Sequence, residues 1–126
     1  MQPRKILLVE DSKLVHKMYE VMLRQYPLVH AFDGRDALTK IGENPDVDLI
    51  LLDINMPHMN GLEFLAQVKS NPAFSRIHVV IVSTEGKEDD TVRALKLGAS
   101  AYIKKPFRNE ALLEVIARLG AGGSQA

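Results

Sequence analysis

The sequence predicts an α/β fold: one doubly wound (βα)5 domain built on a five-stranded parallel sheet. Three observations carry that prediction. Five short apolar runs recur along the chain, three of them rich in Ile, Leu and Val, and each is too short for a helix. Segments with apolar residues at helical spacing separate them. The runs are nearly continuous rather than alternating, which implies burial on both faces and hence a parallel sheet covered by helices on each side. Right-handed crossovers leave few topologies for such a chain.

The elements follow in order. Residues 5–9 form the first strand. Ser12 is suited to cap a helix in which Leu14, Val15, Met18, Val21 and Met22 form an apolar stripe, stopped by Tyr26-Pro27. Leu28 to Phe32 read as the second strand. Asp33-Gly34 punctuates, and Ala37, Leu38 and Ile41 mark a helix that ends near Gly42 and Asn44-Pro45. Residues 48–53 are the third strand, followed by a loop from Met56 to Gly61. Asn60 with Glu63 is a capping-box-like start to a helix carrying Leu62, Leu65 and Val68, and Asn71-Pro72 ends it. Residues 78–83 are the fourth strand. A charged loop from Glu85 to Asp90 feeds a helix that packs through Val92, Leu95 and Ala99 and closes at Gly98. Residues 100–103 are a short fifth strand. The last helix spans about 109–119, with Leu112, Leu113 and Ile116 buried, and residues 120–126 form a frayed tail.

Composition narrows the function classes. The chain has 126 residues, enough for one domain with a real core. Lys+Arg and Asp+Glu are both 16, and this neutral balance argues against nucleic-acid or membrane-surface binding by charge. No cysteine is present, which excludes disulfides, thiolate catalysis and Cys-based zinc sites. Glu10 ends the first apolar run too early for a signal peptide, and no run approaches the roughly 20 residues of a membrane span. A cytoplasmic location is expected.

The chemistry lies at the strand ends. Glu10-Asp11, Asp53, Ser83 and Lys104-Lys105 each follow a separate apolar run. In a parallel sheet these ends open on one edge, where such sheets place their sites. Asp53 is a candidate nucleophile, since a carboxylate can form an acyl phosphate; the plainer alternative is a cap for the turn before Pro57. Glu10 and Asp11 facing a third carboxylate would repel strongly. A magnesium ion resolves that conflict, with the backbone carbonyl of Asn55 as a natural further ligand. Ser83 can donate to a phosphoryl oxygen, and an ammonium from Lys104 or Lys105 can neutralise it. The four histidines, His16, His30, His58 and His78, have no metal-ligand spacing and form no site; His58 follows Asp53 closely enough to influence pH dependence.

With these residues in hand, the chain resembles the receiver domain of two-component response regulators, closest to the stand-alone chemotaxis type. The resemblance covers about residues 4–119. It rests on Ile6 to Ser12, Leu51 to Pro57 with Asn60-Gly61, Val80 to Thr84, Gly98 to Tyr102 and Lys104 to Phe107. It implies the flavodoxin-like strand order 2-1-3-4-5, an order known from the chemotaxis regulator itself. It also implies Asp53 as phosphoacceptor, and Mg2+ or Mn2+ held by Glu10, Asp11, Asp53 and the Asn55 carbonyl. Lys105, ahead of Pro106, is the implied phosphate-binding lysine, with a typically cis Lys–Pro peptide. Ser83, rather than Thr84, and Tyr102 are the implied switch residues, and Asn55 and Glu85 tune the dephosphorylation rate. The domain is expected over residues 1–120, with 121–126 as a flexible tail.

By the same resemblance, a sensor histidine kinase or phosphotransfer protein supplies the phosphoryl group. The protein would catalyse its own transfer and dephosphorylation without being an enzyme in the ordinary sense. A downstream protein would then meet the face of the fourth helix, fifth strand and fifth helix, near Lys87, Tyr102 and Lys104. An FMN carrier is excluded, because Glu10-Asp11 would repel phosphate where a glycine- and hydroxyl-rich loop is needed. A haloacid-dehalogenase-type phosphatase wants a second acid where Asn55 stands. Two alternatives stay open: a pseudo-receiver that signals by contact alone, or a receiver excised from a longer regulator.

Overall fold

The structure, a computed structural model, describes residues 3–54, 61–84 and 88–123. Five strands, β1 (Ile6–Val9), β2 (Leu28–Ala31), β3 (Leu49–Asp53), β4 (His78–Thr84) and β5 (Ala101–Lys105), alternate with five helices. The helices are α1 (Lys13–Met22), α2 (Gly34–Glu43), α3 (Gly61–Ser70), α4 (Glu88–Lys96) and α5 (Asn109–Gly123). Every strand pairing is parallel, and the order is β2-β1-β3-β4-β5. Among the described residues, no helix is long and apolar enough to cross a membrane.

The continuous apolar strands split into two cores by parity, because successive side chains leave a strand on opposite faces. Leu7, Val9, Ile50, Leu52, Val79 and Ile81 face α2, α3 and α4. Ile6, Leu8, Leu49, Leu51, Val80 and Ile103 face α1 and α5, packing on Tyr19, Leu23, Leu112 and Ile116. Each fully buried Leu, Ile or Val contributes about 1.5–3 kcal/mol, so both layers are needed to hold the sheet.

The helix ends match their sequence signals. The Ser12 side chain accepts from the Val15 N–H at 3.3 Å, and Asp33 accepts from Asp36 N–H at 2.7 Å. After α4, Gly98 takes φ +116°, and Ala99 N–H returns to the Ala94 carbonyl at 3.1 Å. The expected Asn60 cap lies outside the described residues.

Several sequence expectations need correction. In α1 the buried face is His16 and Tyr19, continued by Leu23, with Val15 and Met22 partly buried. Leu14, Met18 and Val21, expected in the stripe, are 69%, 45% and 72% exposed. Two helical stripes lie side by side here, and apolar spacing alone does not choose between them. In α4 the buried residues are the small Thr91 and Ala94, while Val92 and Leu95 face outward. The true contact line is shifted one position from the one that the large apolar residues suggest. The second strand stops before Phe32, while β4 and β5 run on to Thr84 and Lys105. The last helix continues through Gly120 to Gly123. Glycine there costs about 1 kcal/mol but does not forbid a helix.

Candidate functional site

Strand order reverses between β1 and β3, and the site forms where their carboxyl ends meet. Asp53 closes β3 on the parity of Leu49 and Leu51 and is 5% exposed. Glu10 follows β1 and is 2% exposed, while Asp11 beside it is exposed. Carboxylate oxygens of Glu10, Asp11 and Asp53 lie within 4.8 Å of one another.

Lys105 completes the cluster. It shares the parity of Ile103 and Ala101, so it points to the α1 side of the sheet, and adjacent Lys104 takes the other face. The Lys105 Nζ donates to Glu10 Oε1 at 3.0 Å and to Asp53 Oδ2 at 3.2 Å. Of the two lysines, it is Lys105 that the β5 extension brings to the carboxylates. The Lys105–Pro106 peptide is cis, as the resemblance implied.

The electrostatics of this group are strained by burial. Burial pushes the Glu10 carboxyl up, to about 7 from an ordinary 4.5; the Lys105 hydrogen bond opposes that, and the charge of Asp53 adds to it. Burial by itself would lower the Lys105 ammonium, but its hydrogen bond with Glu10 and the charges of Asp53 and Glu10 outweigh it, and the net shift is upward. Tyr19, behind the site and stacked on Phe107 with ring centroids 6.3 Å apart, is also raised, first by burial and then by those carboxylates.

Three converging carboxylates against one ammonium are a donor set short of positive charge. Hard oxygen ligands of this kind suit Mg2+ or Mn2+ rather than softer metals. The residues present thus fit a divalent cation.

The two switch candidates occupy the other face. Ser83, next to last in β4 and on the parity of Val79 and Ile81, is 3% exposed, with its hydroxyl 3.2 Å from that of Thr91 in α4. Tyr102 is half exposed and lines a cavity of about 210 Å³ together with Ser83, Thr91 and Leu95. Thr84, on the opposite parity, opens instead into a cleft of about 290 Å³ lined by Met18, Tyr19, Lys105 and Phe107. Asn55, Glu85, His58 and Lys87 lie outside the described residues.

The structure adds residues that sequence reasoning did not assign. His16 is buried, with Nε2 donating to the Glu10 carbonyl at 2.7 Å and Nδ1 2.7 Å from Nδ1 of His30. Two of the histidines thus pair beside the acidic loop. The signal was present in their parity, since His30 shares a face with Leu28 and that face meets α1. Gly61 packs so closely that a Cβ would sit 2.6 Å from the Ile54 Cα, just past Asp53. Thr91 carried no sequence signal beyond its place in a helix.

This fold, with acids at the carboxyl ends of β1 and β3 and a lysine before a cis proline, defines a receiver-type signalling module. The model of the response regulator receiver domain matches residues 6–117, and the chain belongs to that family. Such domains serve two-component signalling. Helicobacter pylori chemotaxis protein CheY1 is 34% identical over 113 residues, covering 87% of this chain and 91% of that one. Response regulator Rcp1 of Synechocystis is 35% identical over 124 residues, covering 90% and 84%. Its Mn(2+)-bound crystal structure superposes with a TM-score of 0.78 at 34% identity, covering 93% of this chain and 91% of that one. The structure of Vibrio cholerae CheY4 gives a TM-score of 0.84 at 32% identity, covering 91% and 97%.

Proposed function

We propose that Asp53 accepts a phosphoryl group from a phosphohistidine on a sensor histidine kinase or phosphotransfer protein. The observation that carries this reading is the Lys105 ammonium set between Glu10 and Asp53, 3.0 and 3.2 Å away. An Asp53 oxygen forms the new bond to phosphorus as the bond to the donor nitrogen breaks. Lys105 meets the charge on the transferring oxygens, a position from which electrostatic stabilisation is usually the largest single contribution. Glu10, Asp11 and Asp53, with the Asn55 carbonyl, are the residues that would hold Mg2+. When bound, that ion supplies charge neutralisation at the phosphoryl oxygens.

Ser83 and Tyr102 then act as the switch. The phosphoryl group adds nearly two negative charges at the sheet edge, which draws the Ser83 hydroxyl from α4. Tyr102 turns from solvent into the cavity beside it. The result is a population shift of the α4-β5-α5 face, on which a downstream protein reads the state. We assign this activity to a domain of residues 1–120 acting in the cytoplasm. Hydrolysis of the acyl phosphate, tuned by Asn55 and Glu85, resets it.

Incubation with acetyl phosphate and Mg2+, followed by intact mass measurement, tests this. The expected result is a Mg2+-dependent, hydroxylamine-labile phosphoryl adduct that Asp53→Asn lacks. Absence of any adduct, with Mg2+ shown to bind, would replace this reading with a pseudo-receiver that signals by contact alone.

A further inference from the structure

Helix α4 is held to the body of the protein by little. Its buried residues are Thr91 and Ala94, both small, whereas Val92 and Leu95 are 50% and 41% exposed. Thr91 is 6% exposed and its hydroxyl lies 3.2 Å from that of Ser83, itself 3% exposed. One of the two buried anchors of α4 is therefore a hydrogen bond to the last buried residue of β4.

A buried hydroxyl that loses its partner costs the desolvation of that group, so this contact is not neutral to break. The Ser83 side chain is short, so reaching a phosphoryl group on Asp53, on the other face of the sheet edge, carries its hydroxyl out of the 3.2 Å contact with Thr91, whichever of the two donates. The space for a change already exists, because Ser83 and Thr91 both line the cavity of about 210 Å³ at whose edge Tyr102 stands. Thr91 itself has a fallback, since a helical threonine can turn its hydroxyl to a carbonyl of the preceding turn.

We propose that Thr91 is a positioning residue that holds the Ser83 hydroxyl on the α4 side and so sets the threshold of the switch. The inference rests on the reading of Ser83 as the hydroxyl that meets the phosphoryl group. Phosphorylation at Asp53 draws Ser83 away, Thr91 loses its partner, and α4 is released at its buried first turns. The latch thus has two consequences: it resists activation in the resting protein, and it passes the event at the strand end to the helix.

A double-mutant cycle with beryllium fluoride and Mg2+ as the phosphoryl mimic tests the latch. Thr91→Val removes the hydroxyl and keeps the shape; Thr91→Ala is a second variant should the first fold poorly; Thr91→Ser restores the hydroxyl. A net hydrogen bond sets the scale, so Thr91→Val is expected to tighten apparent beryllium fluoride affinity about two- to tenfold. Thr91→Ser is expected to return it to the wild-type value. In a Ser83→Ala background Thr91→Val is expected to have no effect, since no hydroxyl remains to be held. An equal change in both backgrounds, or none in either, would overturn the latch while leaving Ser83 in its role. A Ser83→Ala protein that binds the mimic as well as wild type would overturn the underlying reading of Ser83, and the latch with it.

Discussion

Glu10 is where burial and charge conflict most sharply. Buried beside Asp53, it keeps its proton up to about pH 7, well above the ordinary 4.5. Between those values the folded, metal-free protein holds a proton that the unfolded chain has released. The stability from this group is therefore present below 4.5 and lost as pH rises through 7. His30 acts oppositely: burial, and then His16, lower it from 6.5, so its contribution falls as pH drops below 6.5. Urea unfolding of wild type and Glu10→Gln without metal separates the two: between about pH 5 and about pH 8, wild type is expected to lose more stability than the variant. Mg2+ should raise the wild-type midpoint more at the higher pH, because cation and proton compete for the same carboxylate. At Gly61 a methyl group would meet the Ile54 backbone at 2.6 Å. Gly61→Ala is expected to cost about 1–3 kcal/mol by the same unfolding measurement, and to slow phosphoryl uptake because the displaced backbone carries Asp53.

At the scale of elements, the three central strands β1, β3 and β4 were legible because burial on both faces leaves little ambiguity in an Ile, Leu and Val run. The helices divided by how many stripes they carry. In α3, Leu62, Leu65 and Val68 are all buried as their spacing suggests. In α1 the apolar residues span two adjacent stripes, and the buried one is marked by His16 and Tyr19 rather than by Leu14 and Val21. In α4 small residues carry the contact, and hydrophobicity points one position away from them. The α1 assignment has a direct test in thermal or urea unfolding. Leu23→Ala, at a fully buried position, is expected to cost about 2–5 kcal/mol. Leu14→Ser and Val21→Ser are expected to stay within about 0.5 kcal/mol of wild type.

Across the whole molecule, strand parity distributes the chemistry. Odd positions of β3 and β5 deliver Asp53 and Lys105 to the α1 and α5 side. Positions such as Ser83 and Tyr102 face the α4 side. The proposed phosphoryl site and the proposed switch residues thus lie on opposite faces of one sheet edge. The acids, the Lys104-Lys105 pair and Ser83 stood out in the sequence because each follows an apolar run, whereas the choice of Lys105 over Lys104 and of Ser83 over Thr84 came with the family resemblance. The order 2-1-3-4-5 could not be read there, since right-handed crossovers alone allow other orders, and it too entered with the family resemblance. The His16–His30 pair and the Ser83–Thr91 contact escaped because both join elements through tertiary packing, 14 and 8 residues apart: parity gives the face of His30 but not its partner, and Thr91 carries no pattern of its own.

The proposed function requires that a phosphoryl group arrive at Asp53 and nowhere else. Borohydride reduction of the protein after treatment with acetyl phosphate and Mg2+, followed by peptide mass mapping, locates an acyl phosphate by converting its aspartate to homoserine. Conversion at position 53 alone, dependent on Mg2+, is the predicted result. Homoserine at position 11 or at a remote aspartate, or hydroxynorvaline at Glu10, with Asp53 unmodified, would contradict it.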